Sequence, residues 1–271
     1  MSIQSSRQRI TVSTLRKMKS DGEKIASLTA YDAGFSAVLE KAGMDVILVG
    51  DSLGMVIQGH ETTIPVTVDD MVYHCKAVAS RCQQALLMVD MPFMSYTSPE
   101  QAMATASRIM REGGAHMVKL EGDARQVETV RKLTEHGVPV CAHIGLQPQL
   151  VHKLGGYKVQ GRDKKVATAM LEDAHQLEQA GADLMLLECV PDSLAAEITA
   201  NLEIPVIGIG ASPKCDGQIL VLHDILGITP GKAPRFAHNF LQGQESIQEA
   251  VGAYVAAVKR GDFPKQEHLF L

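Results

Sequence analysis

The chain has 271 residues, 45% hydrophobic and 21% charged, which supplies core for one large α/β domain or two small ones. Its 26 Lys and Arg against 31 Asp and Glu leave a formal charge of −5, spread along the chain. No global basic field therefore calls for nucleic acid or an anionic membrane, and no apolar run approaches the ~18 residues of a membrane span. With no Trp and 4% aromatics, the core must come from Val, Ile, Leu, Ala and Met. Five cysteines, Cys75, Cys82, Cys141, Cys189 and Cys215, form no CxxC pair, which fits a reducing compartment with thiols acting as small hydrophobes.

The first segment is basic, with Arg7, Arg9, Arg16, Lys17 and Lys19 before any acid. A transit peptide has that character, but Val12, Leu15 and Met18 share one helical face. The better reading is a short helix at about residues 11–20 closing one end of a barrel, in a cytoplasmic protein. From Ile25 onward, short apolar runs alternate with helix-like stretches. The expected strands are Ile25–Ala30, Asp45–Asp51, Ala85–Met91, His116–Glu121, Val138–Ile144, Asp183–Val190, Pro205–Ala211 and Gln218–Leu222. They are continuous Val/Ile/Leu/Met/Ala runs, as parallel strands buried on both faces require.

Helices are expected at Ala33–Lys41, Thr67–Arg81, Pro99–Glu112, Ala124–His136, Lys164–Ala180 and Asp192–Ala200, with a last one near Glu245–Lys259. Ser98-Pro99-Glu100 supplies an N-cap and a first-turn proline. Small-residue turns at Gly43, Gly113-Gly114 and Gly181 end three helices. The seventh connection is short and holds Pro213 and Gly217, so no full helix is expected there. Eight strands with intervening helices predict a single-domain (β/α)8 barrel over residues 1–271. The alternative, a doubly wound open sheet, lacks a GxGxxG turn from strand to helix.

Five ionisable residues fall near the C-terminal ends of these strands: Asp51, Asp90, Lys119, Glu121 and Glu188. An apolar strand has little reason to end in a carboxylate unless that end opens onto a site. Asp51, Asp90 and Glu121, on successive strands, are hard oxygen donors suited to Mg²⁺. Each could instead cap the following helix. Lys119, two residues before Glu121, faces the same way and is read as charge stabilisation of an anion. Glu188 follows Leu184-Met185-Leu186-Leu187, and apolar surroundings raise a carboxyl pKa toward that of a general base; a salt-bridged glutamate is the bland alternative. His143 is either a possible additional substrate contact or a satisfied barrel histidine. The other histidines show no zinc-ligand spacing. Gly155–Arg162 lacks P-loop spacing and reads as a mobile βα loop on the active-site side.

Taken together, TAYD (29–32), VGDSLGMVIQGH (49–60), PVTVDDM (65–71), DMPFMSY (90–96), VKLEG (118–122), GGYKVQGR (155–162), LLECVP (186–191) and DGQILVLHDILG (216–227) resemble the ketopantoate hydroxymethyltransferase family, from about residue 10 to the C-terminus. The resemblance implies a (β/α)8 barrel that moves a hydroxymethyl group from 5,10-methylenetetrahydrofolate to 3-methyl-2-oxobutanoate, forming 2-dehydropantoate in pantothenate biosynthesis. It implies one Mg²⁺ per subunit on Asp51, Asp90 and Glu121, and substrate contacts from Asp51, Ser52, Asp90 and Lys119. Glu188 becomes the proton acceptor, and the assembly a cytoplasmic homodecamer built as a pentamer of dimers. One departure stands out: where the family often reads GIGAG, this chain has GIGAS (208–212) followed by Pro213. Two rival readings are a Mg²⁺-dependent 2-oxo acid lyase or mutase of the phosphoenolpyruvate mutase kind, and a catalytically silent barrel that binds an anionic metabolite.

Overall fold

A computed structural model describes residues 9–229 and 231–271; Arg7 of the basic segment lies outside them. In chain order the elements are α1 (Val12–Asp21), β1 (Ile25–Thr29), α2 (Ala33–Ala42), β2 (Val46–Val49), α3 (Leu53–Val56), α4 (Val68–Ala79), β3 (Leu86–Asp90), α5 (Pro99–Arg111), β4 (Met117–Glu121), α6 (Val127–Glu135), β5 (Val140–Gly145), α7 (Val151–Leu154), α8 (Lys164–Gln179), β6 (Leu184–Glu188), α9 (Asp192–Asn201), β7 (Val206–Ile209), β8 (Gly217–Leu220), α10 (Leu222–Ile225) and α11 (Ile247–Arg260). The eight strands form one closed parallel barrel in sequential order, β8 returning to β1.

Each strand has two apolar faces that serve different cores. Val89, Val118, Ala142 and Leu187 pack outward against the helices in a large cluster. Leu86, Met88, Met117, Cys141, Leu184 and Leu186 point inward in a second, smaller cluster. With both faces apolar, the period-two alternation is hidden in the sequence. The barrel interior is packed with side chains.

The N-terminal helix plugs the bottom of the barrel. Leu15 and Met18, with Ile10, join the interior cluster. Thr11 caps the helix through a capping box with Thr14, and Gly22 ends it in the left-handed conformation. Its cations are used as fasteners: Arg16 pairs with Asp183 at 2.9 Å and Lys19 with Asp216 at 2.8 Å.

The expected elements are found, with three adjustments. Strand β2 ends at Val49, so Asp51 lies beyond it, in the turn that leads into α3. Strand β6 ends at Glu188, and Cys189 adopts φ 48°, turning the chain out of the barrel. The expected helix at 124–136 begins as a 3-10 turn before α6. Residues 210–216 carry no helix, as their composition suggested. The short helices α3, α7 and α10 were not anticipated, because one turn has too few residues to show a helical period.

Candidate functional site

Period two carries the inward face of each strand from apolar to ionisable as it rises. On β4 the inward residues are Met117, Lys119 and Glu121, and on β3 they are Leu86, Met88 and Asp90. On β6 they are Leu184, Leu186 and Glu188. The cavity above the apolar layer has a volume of about 480 Å³, and Asp51, Ser52, Asp90, Lys119, Glu121, His143 and Glu188 all line it. Every residue singled out in the sequence is thus brought to one mouth.

Asp90 is the hub. Its Oδ1 accepts from Lys119 Nζ at 2.5 Å, and its Oδ2 accepts the Asp51 backbone N–H at 3.0 Å. Gly50 makes the second contact possible, since a Cβ there would lie 2.8 Å from Ser52 Oγ and 3.4 Å from Asp90 Oδ2. Both partners of the Lys119–Asp90 pair are about 95% buried or more, so desolvation offsets much of their attraction. Ser52 receives a hydroxyl contact from Tyr31 at 2.9 Å.

Four carboxylates share this space with one ammonium. Burial, then repulsion from Asp90, raises the Asp51 carboxyl above its ordinary range. Burial followed by the Asp51 charge raises Glu121 well above its range. Burial alone would pull the Lys119 ammonium down, but Asp90, Glu121 and Asp51 outweigh it and keep it protonated. Glu188 is pushed up to about 8 by burial, Lys119 partly opposing and Asp90 adding to the rise. Its partner is not a loop cation: Glu188 Oε2 lies 3.3 Å from His143 Nε2.

His143 stands between two acids, with Nδ1 3.7 Å from Glu121 Oε1. Neither ring nitrogen has a hydrogen bond of acceptable geometry, although both are buried. Burial, then Lys119, drives its pKa well below 6.5, so the ring is neutral. Gly145 lets β5 approach β6 here, because a Cβ on it would lie 2.3 Å from the Glu188 carbonyl.

Gln149 had no signal in the sequence beyond its place just after a strand. Its Nε2 donates to Asp51 Oδ2 at 2.8 Å and to the Met91 carbonyl at 2.9 Å, and its backbone N–H donates to Glu121 Oε2 at 3.1 Å. Tyr96 fixes the amide by donating to Gln149 Oε1 at 2.5 Å. One neutral side chain thereby orients two acids. The five cysteines are all buried and unpaired; burial pushes the Cys141 thiol up to about 12 and Cys189 higher still, against a reactive thiolate.

A buried excess of carboxylate oxygens over one ammonium suits a hard divalent cation. Among the described residues, however, no three His, Cys, Asp or Glu side chains form a ready metal cage. The Asp51, Asp90 and Glu121 oxygens line the cavity with Gln149 bridging two of them, which matches an ion that keeps several waters. The departure at Ser212 lies away from this cavity. Ser212 is fully buried, its hydroxyl donating to Asp192 Oδ1 at 2.6 Å, so it tethers the β7–β8 connection to α9. Gly155–Arg162 follows β5 on the mouth side, where Tyr157 reaches the cavity.

Among solved structures the fold is similar to 2,3-dimethylmalate lyase, a PEP mutase/isocitrate lyase superfamily member, at TM-score 0.58 and 16% identity over 77% of each chain. Oxaloacetate acetylhydrolase matches at TM-score 0.59 and 16% identity, over 94% of this chain and 98% of that one. At such identities the likeness establishes the barrel alone. Sequence relatives are far nearer. The 3-methyl-2-oxobutanoate hydroxymethyltransferase of Alkalilimnicola ehrlichii is 60% identical over 97% of this chain and 95% of its own length. That of Nitrosococcus oceani is 59% identical over 96% and 98%. No helix among the described residues is long and apolar enough to cross a membrane. The family profile described as ketopantoate hydroxymethyltransferase matches residues 9–266, and the chain belongs to that family.

Proposed function

We propose that this enzyme transfers a hydroxymethyl group from 5,10-methylenetetrahydrofolate to 3-methyl-2-oxobutanoate, forming 2-dehydropantoate for pantothenate synthesis. The observation that carries the reading is Glu188: a half-buried carboxyl lining the cavity, pushed up to about 8, on β6 across the mouth from Asp51 on the β2 side. A pKa near the working pH makes the ionised fraction basic enough to take a weakly acidic proton.

The family names support the transfer, and the residues supply a mechanism for it. Asp51, Asp90 and Glu121 would hold Mg²⁺, which when bound supplies Lewis acidity at the substrate keto group. Ser52, Asp90 and Lys119 bind and orient the 2-oxo acid. Glu188 removes the proton from C3, and the Lys119 ammonium stabilises the resulting enolate charge. His143, neutral and without a well-formed hydrogen bond at either nitrogen, donates to a substrate oxygen. The C3 carbon and a water oxygen each form a bond to the folate methylene as its two bonds to nitrogen break. The C3 proton held at Glu188 goes to one departing nitrogen, one water proton goes to the other, and the second water hydrogen stays on the new hydroxyl. The apolar walls limit bulk water around these steps.

A homodecamer working in the cytoplasm belongs to the same reading, and light scattering of the purified protein tests the assembly. The lyase or mutase alternative shares the barrel but needs no folate. Deuterium loss from C3 of 3-methyl-2-oxobutanoate should require Mg²⁺, and net transfer should require the folate as well. Turnover of a 2-oxo acid without folate, or full activity after EDTA treatment, would reject this reading.

A further inference from the structure

The chemistry proposed above occupies the arc of the mouth from β2 to β6. The remaining arc is lined by Leu220, Val221, Phe236 and Phe270 and carries one acid, Asp224. Asp224 lies in α10, directly after β8, and is 5% exposed. Its Oδ1 accepts from Thr229 Oγ1 at 2.5 Å, whereas Oδ2 accepts no hydrogen bond among the described residues. Burial raises its carboxyl above the ordinary range, with the Thr229 hydroxyl opposing. A carboxylate so deeply buried ordinarily has a charged or multiply donating partner. This one has a single hydroxyl and apolar walls. In an eight-stranded barrel β8 stands opposite β4, so Asp224 lies across the mouth from Lys119 and Glu121.

We propose that Asp224 is the recognition residue for the second substrate: its carboxylate binds a flat heterocycle that presents a ring N–H beside an exocyclic amino group. This rests on the folate reading, because the pterin ring of a reduced folate carries that donor pair. Such an edge resembles a guanidinium and meets a carboxylate through two parallel, charge-assisted hydrogen bonds. The Thr229 contact fixes the carboxylate before the ligand arrives. Phe236 and Phe270 line the same wall and offer faces for the ring. At the rim, exposed Lys232 and Arg235 supply cations for the carboxylates of the folate tail. Arg235 is steadied there, its guanidinium carbon 5.8 Å from the Phe270 ring centroid and its Nε donating to the Glu267 carbonyl at 3.1 Å. The pterin would then sit inside, the tail outside, and the methylene would face the Glu188 wall.

The competing explanation is that Asp224 only staples residues 224–229. Asp224→Asn separates the two. The amide oxygen still accepts from Thr229, but the amide nitrogen turns a donor toward the donors of the heterocycle. The expected result is a KM for methylenetetrahydrofolate raised about 10–100-fold, with an unchanged melting temperature. Folate-independent C3 deuterium exchange of the 2-oxo acid should also be unchanged. A tetrahydrofolate analogue lacking the 2-amino group should bind the wild type about 10–100-fold more weakly than tetrahydrofolate, and Asp224→Asn should lose that discrimination. An unchanged KM in the folded variant overturns the proposal. So does equal loss of exchange and stability in Asp224→Asn and Thr229→Val, which is the staple's signature. If the wild type itself shows C3 exchange but no folate-dependent transfer, the proposed function fails along with this inference, a result distinct from failure of Asp224 alone.

Discussion

At the bottom of the barrel, Ile25, Val46, Leu86, Met117 and Leu184 meet Leu15 and Met18 of the plugging helix in a dry core. Two to four residues further along the same strands, the same inward positions hold Thr29, Asp90, Lys119, Glu121 and Glu188. The backbone, the pairing and the period are identical in the two halves. Below, burial removes apolar surface from water at about 25 cal/mol per Å². Above, four carboxylates are desolvated beside one ammonium, an arrangement that costs stability. Residues that resist their own environment mark the working end, and the bottom core and outer helices supply the stability that tolerates them.

The largest break in this comparison comes from Lys119. Lys119→Met removes the ammonium that faces the acids, so turnover should fall by about 10²–10³-fold. Stability should fall with it, because the acids lose their counter-charge. Lys119→Arg should retain partial activity. Borohydride trapping of a covalent substrate adduct on Lys119 would overturn the electrostatic role.

The bottom should show the reverse pattern. Leu15→Ala leaves a cavity under the barrel and should lower unfolding free energy by about 2–5 kcal/mol. Turnover per folded molecule should stay unchanged. Denaturant unfolding with active-site titration checks both, and a kcat loss without destabilisation would dissolve the contrast between the halves.

A pH series sharpens it further. Glu188 is neutral when unfavourably buried, its folded pKa near 8 lying above the ordinary 4.5. Ionisation is therefore easier in the unfolded chain, and the native state loses stability as pH rises from about 4.5 to about 8. Glu188→Gln removes that loss. Its melting temperature should match wild type near pH 4 and exceed it increasingly up to pH 8; equal melting temperatures at pH 8 would show that Glu188 is not strained.

Much of this was legible in the residues. Eight apolar runs, and acids placed at their C-terminal ends, sufficed for the barrel and for the convergence of Asp51, Asp90, Lys119, Glu121 and Glu188. The Lys119–Glu121 spacing even specified a shared face. What was hidden is what depends on through-space contact. Gln149 is untitratable and sits in a short turn, so nothing in its neighbourhood announces that it bonds both Asp51 and Glu121. Asp51 looked like a strand terminus because its run is apolar to the end, whereas Gly50 already turns the chain. Asp224 is one acid among loop residues until burial and cavity lining single it out. The Ser212 departure stood out in the sequence, but only the structure shows it as a tether to Asp192 outside the cavity.

The smallest effect tests that last point. Ser212→Gly restores the family's common residue and removes the bond to Asp192, so stability should drop by about 0.5–1.5 kcal/mol. The folate KM should not move; a change in it would return the departure to the site.

The central claim is that Glu188 is strained because it takes the C3 proton. Glu188→Gln keeps the shape of the side chain and loses its basicity, while Asp51, Ser52, Asp90 and Lys119 remain to bind substrate. The measurement is deuterium loss from C3 of 3-methyl-2-oxobutanoate in this variant, with substrate affinity determined on the same sample. The account predicts exchange slowed by about 10²–10⁴-fold at near-normal affinity. Near-normal exchange with lost transfer would move Glu188 to a later step, and lost affinity with normal exchange would make it a binding residue; either would contradict the account.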